Sequence, residues 1–146
     1  MSALIVAQPQ APYASRQSLV VDASVLACAL FGEAQNDLAI SWMRGHALAA
    51  PQLVDYEIAN IALNKARRGE VAPEAAAQSI ALFSELELAR MPVAVDGVHA
   101  LATQYRLTAY DAAYLWLAVQ LNAPLATFDK KLGEAAQTCL GALATS

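Results

Sequence analysis

Charge is scarce in this chain of 146 residues: Asp, Glu, Lys and Arg make up 15% of it, against 58% hydrophobic residues. Chains stay unfolded when hydrophobicity is low and net charge high, so the composition excludes an intrinsically disordered protein. Basic residues are the rarer sign, with 9 Lys+Arg against 13 Asp+Glu and a formal net charge of −4. The composition therefore carries no broad basic surface of the kind that announces nucleic-acid binding. Cysteine is limited to Cys28 and Cys139, too far apart for a metal-ligand pair; both are expected to be buried thiols in a reducing cytoplasm. The two histidines, His46 and His99, stand alone and read as surface or packing residues. No apolar run reaches the ~18 residues expected of a membrane-spanning helix. The apolar Leu4–Ala7 has no basic residue before it, the first being Arg16, so no secretory leader is expected.

Alanine is abundant, with 34 residues, which favours helices and close packing between elements. Residues 1–17 show no hydrophobic period and are expected to be a flexible extension, leaving 18–146 as a single domain. Leu19-Val20-Val21 reads as a buried strand, followed by a helix over 24–31 that Gly32 stops and a second over 33–45 with Leu38 and Trp42 on one face. A strand over 48–50 precedes a helix expected to open at Pro51 and end at Arg68. A helix over 73–86, a strand over 93–95 and a helix from Asp96 to Arg106 follow. Further helices are expected over 108–122 and from Asp129, with strands over 124–127 and 139–144. Strands alternating with helices predict an α/β sandwich around a mostly parallel sheet of four to five strands.

Four acids sit in apolar settings, where unpaired charge is costly. Asp22 ends the first strand, and ligands of open parallel sheets bind beyond strand carboxyl ends; Asp is equally a good helix N-cap. Glu57 falls on the same helical stripe as Val54, Ile58 and Ile61, so it points toward the core, while Asp55 points away. Asp111 follows Thr108 in a helix-start capping pattern yet precedes a stretch, Ala112 to Ala118, that is apolar on all sides. Asp129 repeats the logic of Asp22 after the strand Leu125–Phe128. Carboxylates gathered in one cleft raise one another's pKa, and a hard divalent cation such as Mg²⁺ or Mn²⁺ relieves the conflict.

The residues Val20-Val21-Asp22-Ala23-Ser24, Glu57-Ile58-Ala59-Asn60, Leu107 to Tyr114 and Leu121 to Asp129, in that order, resemble the PIN domain family and within it the VapC-type toxins. The resemblance runs over about residues 18–144. It implies that Asp22, Glu57, Asp111 and Asp129 are the catalytic, metal-binding acids, with Ser24 and Thr127 as supporting hydroxyls. It further implies a Mg²⁺- or Mn²⁺-dependent ribonuclease that cuts structured RNA such as tRNA or rRNA, forms a homodimer and is silenced by an antitoxin protein. The chain departs from the family pattern in its longer N-terminal extension and in Phe128, where a polar or basic residue is usual. Lys130 and Lys131 flank Asp129 and are candidates for phosphate contacts, as are Lys65, Arg67 and Arg68; each group also reads as an ordinary solvated helix end. A catalytically silent PIN fold and a phosphatase with an aspartate nucleophile are the alternatives, the second disfavoured because Ser24 stands where a second Asp is wanted. Setting the four acids aside leaves nine Asp+Glu against nine Lys+Arg, so the whole net charge of −4 is that of the proposed site.

Overall fold

Leu19, Val20 and Val21 are completely buried in the strand β1 (Ser18–Val21), as a central parallel strand covered on both faces requires. The computed structural model describes residues 16–141. Its other strands are β2 (Ala47–Pro51), β3 (Leu88–Met91) and β4 (Leu125–Ala126), all parallel, in the sheet order β3-β2-β1-β4. The described residues also form seven helices: α1 (Ala23–Phe31), α2 (Asn36–Met43), α3 (Val54–Arg67), α4 (Pro73–Glu85), α5 (Val95–Tyr105), α6 (Ala109–Leu121) and α7 (Lys130–Leu140). This is the expected α/β architecture with a parallel sheet.

Helix α6, apolar all round, is the most deeply buried, packing on β1, β2 and β4 and against α5 and α7. Its approach to α5 is close: a Cβ placed on Gly97 would fall 2.2 Å from Nε1 of Trp116, so only glycine fits there. Gly32 closes α1 in the left-handed region, as its place after Phe31 predicts. Helices α1 to α4 pack on one another. Because β1 and β4 are parallel neighbours, their carboxyl ends, and the loops that enter α1 and α7, emerge side by side.

Several elements differ from expectation. Pro51 ends β2 rather than opening α3, pairing with Met91 of β3. The β1–β2 pairing stops at Val20 and Ala49, so β1 requires no N–H from Pro51. The third strand lies at Leu88–Met91, not 93–95, because Pro92 cannot donate to a ladder and ends it. Helix α2 is shorter than 33–45, and the face that carries Leu38 and Trp42 is exposed. Cys139 and Leu140 complete α7 instead of starting a closing strand; 142–144, the rest of that expected strand, lie outside the described residues. Of the expected extension, only Arg16 and Gln17 are described, the Gln17 carbonyl accepting from the Ala47 N–H at 3.0 Å.

Candidate active site

Asp22 sits where β1 becomes α1, nearly fully buried, and each carboxylate oxygen is engaged. Oδ1 accepts from Ser24 Oγ at 2.6 Å and from the Val25 N–H at 3.1 Å. Oδ2 accepts from Thr127 Oγ1 at 2.5 Å. The same hydroxyls accept in turn: Ser24 Oγ from the Phe128 N–H at 3.0 Å, Thr127 Oγ1 from the Asp129 N–H at 2.9 Å. Asp22 is thus both the N-cap of α1 and the centre of a network joining the carboxyl ends of β1 and β4. Burial pushes its pKa up, against the opposing pull of Ser24, Thr127 and the backbone donors.

Glu57 projects from the first turn of α3, half-buried, where its Oε1 accepts from the Tyr114 phenol at 2.5 Å. Burial raises its pKa, the tyrosine hydroxyl opposes, and the charges of Asp111 and Asp22 add to the rise. Asp111 lies in the first turn of α6, whose start is capped by Thr108 Oγ1 accepting from the Asp111 N–H at 3.1 Å. Its pKa is raised by burial and then by the Asp129 and Asp22 charges, while Thr108 and Lys131 pull it down. Asp129 is exposed and caps α7, accepting from the Leu132 N–H at 2.9 Å. The four acids named from the sequence therefore share one electrostatic neighbourhood, and two of them are also helix caps. Asp55 points away, as expected, and pairs with Arg90 at 2.8 Å.

Residues 19–137 match the PIN domain family. A VapC ribonuclease of Mycobacterium bovis is 33% identical over 119 residues, spanning 82% of this chain and 91% of its own length. The ribonuclease VapC3 of Pyrobaculum aerophilum is 31% identical over 121 residues, 80% of this chain and 92% of its own. The chain belongs to the PIN-domain VapC family. Among solved structures, PAE2754 of Pyrobaculum aerophilum superposes with a TM-score of 0.67 at 30% identity, covering 87% of this chain and 90% of its own. Mycobacterium tuberculosis VapC20, a sarcin-ricin loop cleaving toxin, shares the fold at a TM-score of 0.61 and 17% identity, covering 80% of this chain and 94% of its own.

Within this PIN domain the donors gathered at the acid end are oxygens: carboxylates, two hydroxyls and one phenol. Among the described residues, no three Asp, Glu, His or Cys side chains are close enough to enclose an ion by themselves. Mg²⁺ is commonly held through one or two carboxylates with water completing an octahedron, so the donor set fits a hydrated hard cation. It does not suit zinc, which favours nitrogen and sulfur. His46 precedes β2, at the opposite end of the sheet.

Lys130 and Lys131 are exposed in the first turn of α7, and the Lys131 charge reaches Asp111. Lys65 is not free to hold phosphate: its Nζ lies 2.6 Å from Glu33 and 3.6 Å from Glu70. Phe128, exposed beside Asp129, borders a groove of about 620 Å³ between α2 and α7. Tyr114 is the site residue that the acid motifs did not single out; its spacing of one turn from Asp111 on an apolar helix was the available signal.

Proposed function

We propose that this VapC-family chain is an endoribonuclease that uses Mg²⁺ or Mn²⁺ and acts as the toxin of a toxin–antitoxin pair. In this reading Asp22, Glu57, Asp111 and Asp129 form the catalytic metal site, Ser24 and Thr127 orient Asp22, and Lys130 and Lys131 contact substrate phosphates. The observation that carries it is the buried Asp22, held by hydroxyls from the first turn of α1 and from the residue after β4, near further carboxylates and with no basic side chain paired to it among the described residues. The ribonuclease names of the relatives support RNA as substrate. The same membership motivates a structured RNA target such as tRNA or rRNA, an antitoxin partner, a homodimer and a cytoplasmic site of action. Among the described residues no helix is long and apolar enough to cross a membrane, and both cysteines are free.

A bound divalent ion supplies a water of lowered pKa and offsets charge on the phosphate under attack. The chain's own residues do the rest. Asp22 is immobilised by three donors, so it presents a fixed oxygen pair. Asp111 and Asp129, at the starts of α6 and α7, are the two acids placed to orient or deprotonate the attacking water. The lysine pair at the start of α7 supplies the nearest positive charge for the RNA backbone. With the remaining charges balanced, RNA binding away from the site is expected to be weak and strongly dependent on the metal.

The test is cleavage of total RNA by purified chain freed of any antitoxin, with Mg²⁺ or Mn²⁺ present. Asp22→Asn and Asp111→Asn are each expected to lower the rate by roughly 10²–10⁴-fold. Wild-type rates in both variants, or no cleavage by the wild type, would reject the nuclease reading; the second result would favour a silent binding module.

A further inference from the structure

We propose that Tyr114 is a positioning residue for the cation site, holding the Glu57 carboxylate of α3 in the orientation in which it meets the metal. The inference rests on the metal-dependent reading above. Tyr114 is 1% exposed within α6, yet its hydroxyl emerges from the core to donate to Glu57 Oε1 at 2.5 Å. Among the described residues this is the one hydrogen bond the Glu57 carboxylate receives. Asp22, by contrast, is fixed by three donors. A glutamate side chain has three rotatable bonds, and holding it costs conformational entropy. No lysine or arginine pairs with Glu57 among the described residues, so the phenol is what restrains it.

Tyr114 also lies one helical turn beyond Asp111, and i, i+3 residues share a helix face. Helix α6 therefore delivers one acid directly and anchors a second that belongs to a different helix. The bond leaves Oε2 of Glu57 without a protein donor among the described residues and free to face a cation. Outer partners of metal ligands fix ligand orientation, and their loss typically costs about 10–100-fold in metal affinity.

The experiment is calorimetric titration of the full chain with Mn²⁺ at neutral pH, for wild type, Tyr114→Phe, Glu57→Gln and the double variant. Phenylalanine keeps the ring packing and removes only the hydroxyl. Tyr114→Phe is expected to weaken Mn²⁺ binding about 10–100-fold, with no further weakening when it is added to Glu57→Gln. Wild-type affinity in Tyr114→Phe, or equal weakening in both backgrounds, overturns the positioning role while leaving the nuclease reading intact. Absence of Mn²⁺ binding by the wild type overturns both. If Tyr114→Phe does not fold, Glu57→Asp replaces it: its shorter carboxylate cannot reach the phenol, and unaltered Mn²⁺ affinity there would equally reject the proposal.

Discussion

At its amino end α3 turns Glu57 toward Asp22 and Asp111; two turns later it carries Lys65, set between Glu33 and Glu70 and over the Phe31 ring at 5.3 Å. Both charges suit the helix dipole. The pKa of each is raised, but with opposite meaning. For Lys65, the hydrogen bond and charge of Glu33 favour the ionised form. For Glu57, burial and neighbouring carboxylates disfavour it. The protein thus neutralises the cation at one end with side chains and withholds side-chain neutralisation from the acid at the other. In the proposed function, this unbalanced charge is what a cation from solution would meet.

Exchanging charge for neutrality at the two ends should split activity from stability. Glu57→Gln is expected to cost at least about 100-fold in RNA cleavage, since even the outer partners of a metal ligand are worth 10–100-fold. The same variant should raise the melting temperature of the metal-free protein at neutral pH, because a desolvated charge is gone. Thr127→Val comes next: it bares Asp22 Oδ2 and strands the Asp129 N–H, and cleavage should fall about 10–100-fold with metal affinity. Lys65→Gln is the smallest. It should lower stability by ~0.2–1 kcal/mol, as for a partly exposed ion pair, and leave cleavage at the wild-type rate. Denaturant melts and a single cleavage assay read all three; a Lys65→Gln variant that loses activity would erase the contrast between the two ends.

The acids were legible because each breaks a local rule: a carboxylate on an apolar stripe or at a buried strand end stands out within a few residues of its neighbours. The alternation of strands and helices was legible from hydrophobic period and from the glycines and prolines between elements; the strand order β3-β2-β1-β4 was not. What was not legible depends on long-range pairing. Pro51 reads locally as a helix start, and only the register with Met91 makes it a strand end. The bonds Thr127–Asp22 and Tyr114–Glu57 join residues 105 and 57 positions apart. Lys65 looked like a phosphate contact until Glu33 and Glu70 were brought to it. Hydrophobic period reports burial along one element; it carries no record of which element lies opposite.

The pH dependence of stability tests the unbalanced-acid account most directly. Asp22, Glu57 and Asp111 all have pKa values above those of the unfolded chain. Between the ordinary carboxylate range and the raised values, the folded protein therefore holds more protons than the unfolded one. Metal-free stability must then fall as pH rises through that window, the penalty being complete above the raised pKa values. Melting curves should be recorded from pH 4 to 8 (roughly the range spanning these carboxylates) in EDTA and in Mn²⁺. The account predicts a melting temperature that declines with rising pH in EDTA and recovers in Mn²⁺ at neutral pH, with Asp22→Asn showing neither effect in full. Superimposable EDTA and Mn²⁺ profiles in the wild type would contradict it.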